Sequence, residues 1–202
     1  MAIRRFSGSS LTTGSKSSKL WDQETTLGTF ESIATATVDA SGAATITFSN
    51  IPQNYTHLQI RATPRASTAP NGYAVPTIKF NSDAGANYEN HYLMGDGVSA
   101  TAGAAANMNI GLVAGSASTS VFGTFILDVL DYANTSKYKT VRNLTGFDNN
   151  GVGGTTLQKG GVQLHSLLWL STSAITQIDI ADADAAGWSL YSFFALYGIR
   201  GA

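Results

Sequence analysis

The sequence predicts an all-β protein, an antiparallel β-sandwich or jelly roll with an extended N-terminal arm. Three observations predict this fold. Apolar and polar residues alternate through many short segments, as in residues 56–63 (THLQIRAT), where Leu58, Ile60 and Ala62 are expected to face inward. Turn-forming residues recur at intervals of roughly 8–12 residues. No helical segment of about a dozen residues is available for the crossovers of a parallel sheet.

The chain divides into an arm, residues 1–29, and a sandwich domain, residues 30–202. Residues 1–20 are rich in Ser, Thr and Gly and have neither strand nor helix periodicity, so we expect them to form no core of their own. A disordered tail is one interpretation, and an arm that orders on a neighbouring subunit is the other. Basic residues and spaced apolar anchors indicate the second. The predicted partner-binding residues are Arg4, Arg5, Phe6, Leu11, Lys16, Lys19 and Trp21.

From Phe30 onward the pattern is that of strands and turns. Residues 30–38 and 43–48 are predicted to pair as a hairpin across a turn at residues 39–42. Residues 64–76 and 95–107 are predicted to be loops, because the first is proline-rich and the second consists mainly of small residues. The remaining predicted strands are residues 56–63, 76–80, 87–94, 108–113, 121–130, 138–147, 162–170, 175–180 and 191–200.

Two of these strands carry specific predictions about burial. In residues 138–147 (YKTVRNLTGF), the basic side chains of Lys139 and Arg142 are expected to face solvent. Residues 191–200 (YSFFALYGIR) are apolar on both faces, with Phe194 on one face and Phe193 on the other. We therefore expect this last strand to close a sheet, with each of its faces against a core or a partner chain.

The composition excludes several classes of function. Charged residues make up only 12% of the chain, about half the usual share, which suits a surface largely covered in an assembly. A formal charge of −1 argues against a protein that coats nucleic acid. No apolar run is long enough to span a membrane, and no apolar region of a signal peptide follows the N-terminal arginines. The absence of cysteine excludes disulfides, thiolate metal sites and cysteine nucleophiles.

No motif in the sequence indicates a reaction. There is no nucleophile elbow, phosphate-binding loop or dinucleotide fingerprint. Asp179, Asp182 and Asp184 cluster near a turn, but they lack the spacing of a calcium-binding loop and are predicted to form a solvated turn. We predict no catalytic residue, no metal site, no cofactor and no small-molecule substrate. The three histidines, which share no metal-binding spacing, are His57, His91 and His165.

Three segments resemble a group of small β-rich virion proteins of tailed bacteriophages, of the kind found in cyanophages. The resemblance covers residues 30–202. The segments are 30–38 (FESIATATV) with 51–60 (IPQNYTHLQI), 79–88 (KFNSDAGANY) and 193–201 (FFALYGIRG).

The resemblance implies a non-enzymatic structural protein made in the host cytoplasm and located in the virion, on the capsid surface. It implies a decoration or cement protein that forms a homotrimer and uses its arm to bind the major capsid protein, gaining affinity through multivalency. A tail-fibre or receptor-binding head domain that recognises a glycan is the alternative. A carbohydrate-processing enzyme is a third class, because its two catalytic carboxylates need no fixed spacing in the sequence.

Overall fold

A computed structural model describes residues 29–69, 72–116, 120–149 and 156–201. These residues form antiparallel sheets and one short helical turn, which confirms the predicted all-β class. The elements are β1 (Phe30–Thr37), β2 (Thr45–Phe48), β3 (His57–Thr63), β4 (Tyr73–Ala74), β5 (Pro76–Phe80), β6 (Tyr88–Gly95), β7 (Ala100–Ala105), β8 (Val113–Ala114), β9 (Thr124–Leu130), β10 (Lys139–Asp148), α1 (Thr156–Lys159), β11 (Gly160–Trp169), β12 (Ile178–Asp182) and β13 (Phe193–Ile199).

One large sheet organises the molecule. Its eight strands lie in the order β1-β13-β3-β9-β10-β11-β6-β7, and every neighbouring pair is antiparallel. Strands β1 and β7 are its two edges. The apolar C-terminal strand β13 lies inside this sheet, between β1 and β3.

A second, smaller layer packs on one face of the large sheet. It contains β2, β12 and β5 in that order, and residues 108–110 extend it beside β5 through backbone hydrogen bonds at Ile78 and Ile110. Strands β4 and β8 form a separate two-stranded ribbon. Two packed antiparallel sheets are consistent with the predicted β-sandwich, whereas the jelly-roll topology stays a prediction.

The core lies between the two layers because alternate residues of each strand point into it. Each fully buried large apolar side chain contributes about 1.5–3 kcal/mol to stability. Trp188 spans the layers: its ring meets Phe194 edge-on at 5.4 Å, and its Nε1 donates to the carbonyl of Ile180 at 3.3 Å. Core side chains of the large sheet include Leu58, Ile60, Phe125, Leu127, Val141 and Leu196, and those of the small sheet include Ile46, Phe48, Ile78, Phe80, Ile178 and Ile180.

The predicted hairpin between residues 30–38 and 43–48 is wrong. The turn forms, with the Gly42 amide donating to the Asp39 carbonyl at 3.1 Å. However, β1 pairs with β13 in the large sheet, while β2 pairs with β12 in the small one. The turn therefore carries the chain from one layer to the other, so that each strand covers a different side of the core.

Both predicted loops contain strands. Residues 95–107 include β7, which pairs with β6 along its whole length at one edge of the large sheet. Residues 64–76 include β4, and the short predicted strand at 108–113 is replaced by an irregular segment that leads into β8. Alanine and glycine in β7 gave no alternation of polarity, so its strand character comes from pairing with β6 alone.

Lys139 contradicts its predicted exposure, because it is fully buried at the start of β10. Its Nζ donates to the carbonyls of Asn134, Lys137 and Thr172 at 2.6, 3.0 and 3.1 Å. Burial lowers the pKa of this ammonium group, and the three carbonyls replace the water it loses. Arg142, on the opposite face of β10, is exposed as predicted.

The C-terminal strand β13 is fully buried on its inner face and partly exposed on its outer face. Phe194 and Leu196 are fully buried in the core, and Gly198 lies against the Tyr55 ring, where an added Cβ would come within 2.4 Å of Cγ. On the other face, Phe193 keeps 37% of its surface exposed. The prediction that each face of this strand meets a core or a partner is therefore confirmed for the inner face.

Candidate functional site

The outer face of the large sheet carries a continuous apolar row. Ile126, Leu144, Leu164 and Leu93 are direct cross-strand neighbours on β9, β10, β11 and β6. Val162 stands two residues from Leu164 on the same face. These five residues are 41% to 54% exposed. We call this set the outer apolar face.

The residues around the outer apolar face keep one side of it small and uncharged. Along the next row, Gly146 pairs with Val162, Val162 with Gly95, and Gly95 with Ala100. Neither glycine projects a side chain, so the apolar residues stand above their neighbours. Such a surface lacks groups that must lose bound water before another protein can contact it.

A polar row bounds the outer apolar face on the other side. Asp128, Arg142, Ser166 and His91 are successive cross-strand neighbours on the same four strands. The Asp128 carboxylate accepts a hydrogen bond from Gln59 Nε2 at 2.7 Å. An apolar centre with a polar border is the usual anatomy of a protein–protein interface.

The opposite end of the outer face is closed by its own side chains. Phe30 on β1 stacks on Tyr197 on β13 with ring centroids 4.7 Å apart. The guanidinium of Arg61 lies 5.3 Å from the Phe30 centroid, and its Nε donates to Gln59 Oε1 at 2.8 Å. The arginine therefore covers apolar surface here.

The predicted partner-binding residues lie outside the described residues. They belong to residues 1–28, which lead into β1 at Phe30. Strand β1 is an edge of the sheet that carries the outer apolar face. The residues concerned are Arg4, Arg5, Phe6, Leu11, Lys16, Lys19 and Trp21.

Within the part of the chain that the structure describes, the histidines and acids do not converge on a metal site. Across residues 29–69, 72–116, 120–149 and 156–201, no group of three His, Asp or Glu side chains could hold an ion. His57 Nδ1 accepts from the Asp131 amide at 3.0 Å, and His91 lies on the outer face. His165 is buried, where loss of hydration lowers its pKa to about 4.

The acidic turn near Asp182 has a structural role rather than the solvated one predicted. Asp182 is buried, and its carboxylate accepts hydrogen bonds from the amides of Val75, Asp184 and Ala186 at 3.0 to 3.2 Å. Asp179 accepts from Thr47 Oγ1 and Gln177 Nε2. These bonds satisfy the carboxylates within the fold and hold the turn before β13.

Sequence analysis missed a row of buried polar residues on the inner face. Asn90 Nδ2 donates to the Asn109 carbonyl at 2.7 Å, Asn143 Nδ2 to the Ile110 carbonyl, and Thr145 Oγ1 to the Leu112 carbonyl at 2.7 Å. The bonds fasten residues 109–112 beneath the large sheet. The available signal was polar residues at inward positions of strongly alternating strands.

Gly111 makes this close approach possible. Its φ is +129°, and an added Cβ would lie 1.9 Å from Thr145 Cγ2. Only glycine fits at this position, because any side chain would collide with β10 and because the backbone lies in a region that other residues rarely adopt.

No family model matches the chain, and no curated protein matches it. Among the described residues, no helix is long and apolar enough to cross a membrane.

Proposed function

We propose that the chain is a virion structural protein of a tailed bacteriophage, a capsid decoration or cement protein. In this proposal copies of the chain associate into a homotrimer through the outer apolar face, and the N-terminal arm binds the major capsid protein. The observation that supports association is the row of half-exposed leucine, isoleucine and valine side chains across four adjacent strands.

The size of the outer apolar face suits the centre of an interface. Its five exposed side chains present on the order of 400 Å² of apolar surface, within the range of patches that are often functional. A stable interface buries about 800 Å² on each partner, so the neighbouring polar row would complete the contact. Removing the apolar centre from water requires no charge to be desolvated.

The polar border favours a second copy of this chain as the occupant. Asp128 and Arg142 are direct cross-strand neighbours of opposite charge. When two copies meet, Arg142 of one copy can approach Asp128 of the next without leaving like charges opposed. A low overall content of charged residues, 12%, also suits a chain whose surface is covered by its own copies.

The arm leads into the sheet that carries this proposed interface, at the edge strand β1. Residues 1–28 precede β1, and a fully extended stretch of that length spans at most roughly 90–100 Å. A chain of that reach can cross a neighbouring subunit, with Phe6, Leu11 and Trp21 as apolar anchors. The basic residues Arg4 and Arg5 would meet acidic patches of the capsid protein. Three arms on one trimer would act together and strengthen weak individual contacts.

Sedimentation equilibrium tests the association. We expect the wild-type chain to form a trimer and the double variant Leu144→Glu/Leu164→Glu to be monomeric with an unchanged far-UV circular dichroism spectrum. Tyr138→Ser, which removes an exposed aromatic residue from the loop before β10, is the matched control and should remain trimeric. A monomeric wild-type chain, or a double variant that remains trimeric, would show that this face does not mediate assembly.

Quantitative mass spectrometry of purified particles tests the location. A ratio to the major capsid protein near one supports a cement protein, and deletion of residues 1–20 should then abolish binding to capsids while leaving a folded body. A ratio of a few per cent would contradict the cement role and favour the tail-fibre alternative. Absence from particles would exclude both structural roles.

A further inference from the structure

A cavity of about 340 Å³ opens on the other side of the large sheet, away from the outer apolar face. It lies between the inner face at strands β6, β7 and β11 and the crossing segment 109–112. Its polar lining comes chiefly from Tyr73, Asn90, Tyr92, Asn109, Gln163 and His165. The volume is in the range of small-ligand pockets, about 300–1,000 Å³.

A chain of hydrogen bonds runs along the floor of the cavity. Asn90 Nδ2 donates to the Asn109 carbonyl at 2.7 Å, which turns Asn90 Oδ1 toward His165 Nδ1 at 3.1 Å. Because an amide oxygen only accepts, Nδ1 must carry the ring proton. On the other side of the ring, His165 Nε2 lies 2.9 Å from Gln163 Oε1.

Counting the protons in this row of hydrogen bonds leaves one acceptor without a donor. Burial lowers the pKa of His165 to about 4, so the ring is neutral at pH 7 and Nε2 is an acceptor. In the structure Gln163 Oε1 faces Nε2, and Gln163 Nε2 lies 2.8 Å from Met94 Sδ. Because two acceptors cannot share a hydrogen bond, this side-chain amide must be turned over, so that its NH₂ group donates to His165 Nε2. Its carbonyl oxygen then faces Met94, whose thioether cannot donate a hydrogen bond. Gln163 is only 6% exposed, so this acceptor is buried at the cavity wall.

The cavity also offers uncharged donors. No Asp, Glu, Lys or Arg is among the described residues that line it. Within the described part of the chain, the Tyr92 hydroxyl and the Asn109 side-chain amide have no hydrogen-bond partner. The site therefore combines an unpaired acceptor with unpaired neutral donors, a combination that hydroxyl groups satisfy because each both donates and accepts.

The geometry of Tyr92 limits the kind of ligand. One face of its ring stacks on His165, with centroids 5.6 Å apart and an interplanar angle of 24°. The other side is closed by Gly103, where an added Cβ would lie 2.7 Å from Tyr92 Cζ. Tyr92 therefore presents only its edge and hydroxyl, and it offers no open face on which a planar nucleobase could stack.

We propose that this cavity binds a neutral carbohydrate of one or two sugar residues, with ligand hydroxyls donating to Gln163 and accepting from Tyr92 and Asn109. The proposal runs against the expectation of no small-molecule ligand, and it does not rest on the proposed assembly role. The cavity and the outer apolar face lie on opposite sides of the sheet, so the ligand proposal and the assembly proposal can each be contradicted without the other.

Isothermal titration calorimetry of the full chain tests the proposal. The probes are glucose, galactose, mannose, N-acetylglucosamine, maltose and lactose, with galacturonate and uridine as a charged sugar and a nucleoside. We expect at least one neutral sugar to bind, with no binding of galacturonate or uridine. Absence of binding by every neutral sugar up to about 10 mM, or equal binding of galacturonate, would overturn the proposal.

Two variants locate the binding site. Tyr92→Phe keeps the ring and its packing and removes only the hydroxyl, and we expect it to weaken binding about tenfold. Gln163→Leu removes the unpaired acceptor and should weaken binding at least as much. Leu144→Glu/Leu164→Glu, on the other side of the sheet, is the control and should bind the sugar as the wild type does. Full affinity in Tyr92→Phe and in a folded Gln163→Leu chain would place the ligand elsewhere and contradict the proposal.

Discussion

The two faces of strands β9, β10 and β11 differ less in sequence than in what covers them. Inward-facing Leu127 and Val141 are fully buried, whereas outward-facing Leu144 and Leu164 are about half exposed. Both pairs are aliphatic and lie in the centre of the same sheet. The small sheet covers the inner pair, and nothing within the described residues covers the outer pair. Local sequence therefore predicts the strands but does not say which apolar face is the core.

Polar residues also depart from the usual pattern of an apolar inner face and a polar outer face. The inner face contains fully buried Lys139 and buried Asn143, each hydrogen-bonded to backbone carbonyls. The outer face places aliphatic side chains where a soluble sheet usually has polar ones. Fixed hydrogen-bond partners allow polar groups inside, and we attribute the apolar groups outside to a contact between copies of the chain.

Substituting a leucine on each face tests the contrast most directly. Leu127→Ala removes a fully buried side chain and should lower the free energy of unfolding by about 3–5 kcal/mol. Leu144→Ala should lower it by about 0.5 kcal/mol or less under conditions in which the chain is monomeric. Urea unfolding at low protein concentration measures both. Similar losses for the two variants would mean that the outer face is packed within the monomer.

The pH dependence of stability tests the inner polar residues. Burial lowers the pKa of His165 from 6.5 to about 4, so between these values the unfolded chain binds a proton that the folded chain does not. The contribution of His165 to the free energy of unfolding is fully present above pH 6.5. It is lost as the pH falls toward 4, and the loss amounts to about 3 kcal/mol.

Urea unfolding between pH 7 and pH 4 measures this loss. His165→Asn should flatten the dependence in that window, and His91→Gln on the outer face is the matched control for removal of a histidine. A wild-type stability that does not change between pH 6.5 and pH 4 would contradict the assignment.

Two basic residues on β10 form the next comparison. Lys139→Ala should lower the free energy of unfolding by about 2 kcal/mol, because three carbonyls lose their donor. Arg142→Ala, three residues along on the exposed face, should change it by less than about 0.5 kcal/mol. Thermal unfolding of the two variants measures the difference. If Arg142→Ala proved the more damaging, the assignment of the two faces would be wrong.

Arg61 provides the smallest expected effect. Its guanidinium lies 5.3 Å from the Phe30 centroid and 6.0 Å from the Tyr197 centroid on the outer face. Arg61→Ala should lower the free energy of unfolding by about 0.5–1 kcal/mol. Arg61→Lys keeps the charge and should retain part of this contribution, so chemical unfolding of the pair separates charge from planar stacking. A loss above about 2 kcal/mol would show that this end of the outer face is structurally essential.

Strand positions were predicted best where polarity alternates. Residues 56–63 correspond closely to β3, because an alternating segment has one stable placement at a half-covered sheet. Strand β7 was missed because its alanines and glycine do not alternate.

Local periodicity and composition were enough to predict the all-β class, most strands and the scarcity of charge. Tertiary structure decided which strands pair, since the turn at residues 39–42 permits either a hairpin or a passage between layers. The fold also accounts for the burial of Lys139, whose carbonyl partners lie on two segments, the loop before β10 and the residues after β11, and for the position of the cavity beside Gln163. Such features require residues that are distant in the chain to meet, and no local pattern encodes that meeting.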